Sequence, residues 1–173
     1  MAAGDRIPVT AAASEDIRAE DLEATVGFFN HLGTNKTMEP QFDVKDSFSD
    51  LIGGVLKVVS IERGKISCLL TVKPAIKNAY NGMHGGAVAS AAERVAIGCA
   101  RTVVPEDKDM FLGELSIAYL AAAPVNAEVI VDGSIIRSGR NITVVSVDFR
   151  LKESGKVVYM TRATFYNMPV SKL

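Results

Sequence analysis

The chain has 173 residues, enough for one domain with a single core and a short appendage. With 48% hydrophobic and 23% charged residues, its composition is that of an ordinary globular protein. A formal net charge of −1 excludes a broadly basic surface for nucleic acid or anionic membrane, and no run approaches the roughly 20 apolar residues of a membrane-crossing helix.

Met1 to Ala13 is rich in small residues but has no continuous apolar core and contains Asp5, so it does not read as a secretory signal. Ser14 to Leu32 reads as a helix: Ser14 caps it, Glu15 and Asp16 suit the first turn, and Gly33 ends it. Ile17, Leu22, Val26 and Phe29 give it an apolar face, and His31 near its end is structural. Thr34 to Asp50, with Pro40 and several Asp and Ser residues, is a polar, turn-rich connection. The expected division is therefore an amino-terminal extension with one helix (1–50), a main domain (51–170) and a terminal tripeptide (171–173).

At Val55 the period changes. Val55–Ile61 and Lys65–Val72 are β-rich runs split by Glu62, Arg63 and Gly64, which predicts a hairpin, and Pro74 ends the second strand. His84 to Val103 is rich in Ala and Gly and predicts a long, thin helix that can lie close against a concave sheet. Pro105, Glu106, Asp107 and Asp109 form a loop. Four strands follow, near Phe111–Leu120, Ala127–Arg137, Ile142–Lys152 and Lys156–Asn167, with turn residues between them. Tyr119, Tyr159 and Tyr166 read as strand packing. One helix cannot cover both faces of six strands. The sheet must wrap around it, and a second subunit must bury further apolar surface.

The two cysteines, Cys68 and Cys99, sit in apolar sequence and are expected as buried free thiols. Together with only two histidines they offer too few clustered ligands for zinc, so no metal is expected. Ser171, Lys172 and Leu173 spell the peroxisomal import tripeptide, which acts as an address only at a free carboxyl end. A peroxisomal location and an encounter with the import receptor are the corresponding expectations.

The chemistry concentrates in Asn78-Ala79-Tyr80-Asn81-Gly82-Met83-His84-Gly85-Gly86, with Glu93 following on the same predicted helix. His-Gly-Gly places two amides without side chains at the first turn of a helix, where backbone N–H groups lack intrahelical partners and the dipole is positive. An oxygen gaining negative charge can be held there; a plain loop-to-helix join with glycines for tight packing is the alternative. Glu93 lies in a small, apolar helix where a carboxylate is costly unless paired or used, as general base or nucleophile. The alternatives are a solvated outer face or a strand partner. Gly85 and Glu93 are about 12 Å apart along one helix, so one reacting carbon cannot meet both from a single subunit. If both act on it, they come from two chains whose helices run antiparallel.

The strand order, the thin helix and Asn78…His84-Gly85-Gly86…Glu93 resemble the hotdog-fold acyl-CoA thioesterases, of the phenylacetate-pathway and thioesterase-superfamily-member-two type. The resemblance spans roughly Gly53 to Asn167. It implies an α+β hotdog fold, a curved antiparallel sheet of about six strands around one long helix, here with an extra amino-terminal helix. It further implies hydrolysis of a fatty or aromatic acyl-CoA by a homo-oligomer, a dimer of dimers, with no cofactor. By that resemblance Asn78 and the Gly85 amide polarise the thioester carbonyl, His84 supports the loop, and Glu93 activates water or attacks directly. The turn that contacts CoA falls on Arg137-Ser138-Gly139-Arg140-Asn141-Ile142, whose two guanidiniums suit phosphates. From composition alone the same turn is an exposed basic hairpin tip. Where relatives place a helper hydroxyl, this chain reads Phe111-Leu112-Gly113-Glu114, with Ser116 nearby. An acyl-thioester hydratase or dehydratase and a non-catalytic acyl-CoA binding module are the competing readings. The acyl group is not legible from the sequence.

Overall fold

The computed structural model describes residues 13, 16–34 and 37–169. Two compact units divide the chain, residues 1–47 and 48–173. The first carries α1 (Ala19–Leu32), and none of its helical residues is buried. Gly33 closes α1 in the left-handed conformation at φ 75°, as expected of a helix-terminating glycine. The helix starts at Ala19, with Arg18 at the cap position, and not at Ser14. Ser14 and Glu15 lie outside the described residues. Arg18 folds over the first turn, its Nε 2.8 Å from Asp21 Oδ2, so local ion pairing begins the helix there.

A second helix, α2 (Ser47–Val55), replaces the end of the expected connection and the start of the first strand. Phe48, Leu51, Ile52 and Val55 recur at helical spacing, and Ile52 and Val55 are buried. The β-branched run that starts at Val55 hid this stripe.

The second unit is an α+β domain. Its strands are β1 (Leu56–Glu62), β2 (Lys65–Thr71), β3 (Lys108–Tyr119), β4 (Glu128–Ser138), β5 (Ile142–Leu151) and β6 (Val157–Pro169). They form one sheet in the order β1-β2-β4-β5-β6-β3, every neighbouring pair antiparallel. The long helix α3 (Gly85–Arg101) packs against β2, β3, β4, β5 and β6. Five strands about 4.8 Å apart are wider than a helix of about 10 Å, so a flat sheet could not reach it with all five. The sheet wraps α3, as the small-residue composition predicted.

Packing follows from the two periods. On α3 the buried residues are Ala87, Val88, Ala91, Ala92, Val95, Ala96, Cys99 and Ala100, one stripe along the helix. On β5, Thr143, Val145, Val147 and Phe149 are buried and alternate with half-exposed residues. Phe149 and Phe165 are fully buried, each worth about 1.5–3 kcal/mol of transfer free energy. Helix and sheet approach closely at Gly133 of β4, where a Cβ would stand 3.0 Å from Val95 Cγ1 and 3.4 Å from Cys99 Cβ. A side chain there would press on Val95 and Cys99 of α3, which must shift to admit it. Cys68 and Cys99 are free and buried, and burial pushes the Cys99 thiol up to about 11. It stays protonated at neutral pH and serves as core filling.

Candidate active site

The segment before α3 is a tight loop stapled from several directions. Asn78 accepts N–H groups of Tyr80 (2.9 Å) and Gly82 (3.0 Å) on Oδ1 and donates from Nδ2 to the Met83 carbonyl at 3.3 Å. Its backbone N–H donates to the Gly82 carbonyl at 2.7 Å. Asn81 takes the left-handed φ of 60°, which asparagine tolerates, and its Oδ1 accepts from Lys77 Nζ at 3.0 Å. The Met83 N–H then donates to the Ala123 carbonyl at 2.8 Å, and that of His84 to the Ile76 carbonyl at 2.8 Å. Asn78 is thus first a loop staple. One of its two amide hydrogens is left for another acceptor.

His84 caps α3: its Nδ1 accepts the Gly86 N–H at 3.0 Å, which puts the ring proton on Nε2. Of the two glycine amides expected for an anion, the imidazole therefore occupies one. The Gly85 N–H has no partner among the described residues. It is an amide left free at the positive end of the helix.

Tyr119, read from sequence as strand packing, also serves this turn. Its hydroxyl donates to the Gly85 carbonyl at 3.1 Å and would stand 3.2 Å from a Cβ built on Gly85, with the ring carbons at 3.5 Å. The ring meets Tyr159 edge to face at 5.7 Å, and Tyr159 meets Phe149 at 5.6 Å. Burial raises the Tyr159 hydroxyl above its ordinary pKa, and that oxygen accepts the Ala123 N–H at 3.1 Å. An aromatic column rooted in the core thus ends on Gly85. Tyr119 stands 34 residues from Gly85, and no local pattern announces the pairing.

Glu93 is half-buried and outside the buried stripe of α3, on the side that also carries Gly86, Ala89 and Ile97. It has no hydrogen-bond or ion-pair partner among the described residues. Arg94 turns away and donates from Nη2 to the Ser49 carbonyl of α2 at 2.6 Å. The helix is continuous from Gly85 to Arg101, so Gly85 and Glu93 of one chain stay about 12 Å apart.

The Arg137–Ile142 turn is a β4–β5 hairpin tip closed by Gly139 N–H to the Ile142 carbonyl at 2.9 Å. Arg137, Ser138, Gly139, Arg140, Asn141 and Ile142 are all exposed. Neither arginine has an ion-pair partner among the described residues. A residue not singled out from sequence, Asn167, braces the tip. It is buried, its Nδ2 donates to the Gly139 carbonyl at 2.9 Å, and its N–H donates to the Asn141 carbonyl at 2.9 Å. The hairpin belongs to the carboxyl end of α3. Ile135 N–H donates to the Gly64 carbonyl (2.9 Å), and Gly64 N–H to Thr102 Oγ1 (2.7 Å) beside the last turn. Within one chain the free amide and the basic turn therefore stand at opposite ends of a helix about 24 Å long.

Ser116 does not supply the missing hydroxyl. Its strand neighbours Leu115 and Ile117 pack against the core, so Ser116 points to the outer face of the sheet.

A protein-family model described as the thioesterase superfamily matches residues 80–158. Human acyl-coenzyme A thioesterase 13 is 25% identical over 114 residues, covering 64% of this chain and 79% of that protein. Mouse thioesterase superfamily member 2 superposes with a TM-score of 0.64 at 22% identity, over 72% of this chain and 90% of its own. A Streptococcus mutans protein, solved bound to acetyl CoA, superposes with a TM-score of 0.62 at 21% identity, over 66% of this chain and 89% of its own.

Proposed function

From the premise that the chain belongs to the thioesterase superfamily and has its hotdog fold, we propose that it hydrolyses an acyl-CoA to a free acid and CoA. The observation that carries this reading is Glu93, a half-buried carboxylate without a partner among the described residues, on the side of α3 that the sheet leaves uncovered. A folded chain gains nothing by holding such a group there, and a reaction that needs a base does. In the reaction the thioester oxygen sits at the Gly85 N–H, with the spare N–H of Asn78 beside it, and the charge that develops is held by groups already oriented. Glu93 takes a proton from water as that water adds to the carbonyl carbon, or its carboxylate adds directly and water releases the acyl group afterwards. In the first route the carbon–sulfur bond breaks as the CoA sulfur takes the proton held by Glu93; in the second CoA leaves as the thiolate when the mixed anhydride forms, and the water that then hydrolyses the anhydride supplies the proton.

Two subunits complete the site. A two-fold axis near Ala89 would set Gly85 of one α3 beside Glu93 of the other, and Gly86, Ala89 and Ser90 are small enough for the helices to approach. The same arrangement brings the basic turn of one chain towards the free amide of its neighbour, which the distance within one chain does not allow.

Thiol release from a panel of acyl-CoAs tests the activity, and steady turnover is the expected result. Tight binding without thiol release would establish instead a non-catalytic acyl-CoA module, the reading favoured by the outward-facing Ser116. Arg137→Ala with Arg140→Ala is expected to raise KM for acyl-CoA at least about tenfold, and KM for a short thioester without the nucleotide by no more than about twofold. An equal rise on both substrates would make the arginines structural.

We also propose peroxisomal import where Ser171-Lys172-Leu173 stands at a free carboxyl end; these residues lie outside the described ones. Removing the tripeptide is expected to leave the purified enzyme active and a tagged protein in the cytosol. Peroxisomal accumulation that persists with that end blocked would refute the assignment.

A further inference from the structure

Next to the Gly85 turn, α2, the 3₁₀ turn Pro74–Ile76 and the first turn of α3 enclose a groove of about 260 Å³. We propose that this groove receives the acyl chain of the substrate, and that the chain is aliphatic and of medium length. The proposal rests on the thioesterase reading and adds the substrate class. Phe48, Leu51, Ile52, Ala75, Ile76 and Ala87 supply its apolar lining, and His84 and Gly86 form the end that adjoins the free Gly85 amide. All of these residues belong to the second compact unit.

Three observations select the occupant. The first is position. A carbonyl oxygen at the Gly85 N–H has two substituents to place, an acyl chain and the sulfur arm of CoA. The CoA arm is long and anionic, and the free guanidiniums that suit it stand at the basic hairpin tip. The space adjoining Gly85 is apolar. Its one charged lining residue, Lys77, directs its ammonium to Asn81 Oδ1 at 3.0 Å, a residue outside the lining.

The second is size. A dry cavity of about 150 Å³ holds benzene, so about 260 Å³ scales to roughly ten carbon atoms. That is also below the roughly 300–1,000 Å³ of sites that take a whole drug-sized ligand, as expected of a subsite for one arm. The third is construction. Ile52, Ile76 and Ala87 are buried and make a floor, while Phe48 remains 58% exposed at the rim, an apolar surface awaiting cover. Arg94 ties α2 to α3 through the Ser49 carbonyl at 2.6 Å, so the wall carrying Phe48 and Leu51 is braced.

The test uses non-hydrolysable S-alkyl-CoA thioethers on the full-length protein, with affinities read by calorimetry. S-octyl-CoA is expected to bind at least about tenfold more tightly than S-ethyl-CoA, with no further gain beyond S-decyl-CoA. Ala75→Phe, at an exposed position, fills the groove and should abolish the gain while leaving S-ethyl-CoA affinity unchanged. Phe48→Ala, also at an exposed position, should reduce the gain without altering the fold. A wild-type protein that shows no octyl-over-ethyl gain, or a gain undiminished in both variants, overturns the assignment. Because thioethers are not cleaved, this outcome is separate from the activity: a gain lost in Ala75→Phe supports the groove even if acyl-CoA is not hydrolysed. Hydrolysis with an unaffected gain leaves the thioesterase reading standing and removes the groove.

Discussion

Glu93→Gln is expected to lower kcat by at least about two orders of magnitude, with KM for acyl-CoA near the wild-type value. Glutamine has the shape of glutamate but can neither take a proton from water nor add to a carbonyl as a stable nucleophile. The fold has little to lose in the exchange. Glu93 makes no hydrogen bond or ion pair among the described residues, so no partner is orphaned. A half-buried amide also costs less desolvation than a half-buried carboxylate, so the melting temperature should stay level or rise. Activity falling while stability holds is the signature of a group kept for chemistry. Retention of more than about a tenth of wild-type kcat would remove Glu93 from the mechanism.

Mixed oligomers of two inactive variants are expected to regain activity. Gly85→Val shields the free amide, and its Cβ would press on the Tyr119 hydroxyl, 3.2 Å from the built position. Glu93→Gln lacks the base. Each variant alone should be nearly inactive. In a heterodimer one interface pairs the intact Gly85 of one chain with the intact Glu93 of the other. Random mixing makes about half the dimers heterodimers with about one working site of two, so recovery approaches about a quarter of wild type. The Gly85→Val protein must first show a wild-type melting temperature and oligomer mass, and Gly85→Ala with Tyr119→Phe, which clears the collision, is the substitute if it does not. With a folded partner in hand, mixed oligomers that remain inactive would place each site within one chain, against the separation of about 12 Å along α3.

The large-scale fold was legible because its signals are periodic. Strands β2 to β6 and helix α3 emerge near their expected limits, since alternation and helical stripes are properties of the chain and survive in the folded state. The short α2 was missed although Phe48, Leu51, Ile52 and Val55 mark it, because its last residue opens a β-branched run that reads equally well as strand. The segment around His84 and Gly85 was legible as a helix start with exposed amides, since glycines at the first turn leave such groups uncovered wherever a helix begins.

What the sequence by itself determined is therefore the α+β class, the wrapped helix and the residue types at the Gly85 turn and Glu93. What only the tertiary structure decided is how those types are used. The His84 ring takes the Gly86 amide and leaves Gly85 free, Asn78 spends most of its hydrogen-bonding capacity on its own loop, Ser116 faces outward, and Tyr119 and Asn167 brace turns from distant strands. Periodicity is a short-range property, written within a few residues of each position. A hydrogen bond between residues 28 or 34 positions apart depends on which strands the sheet brings side by side, and no local pattern encodes it.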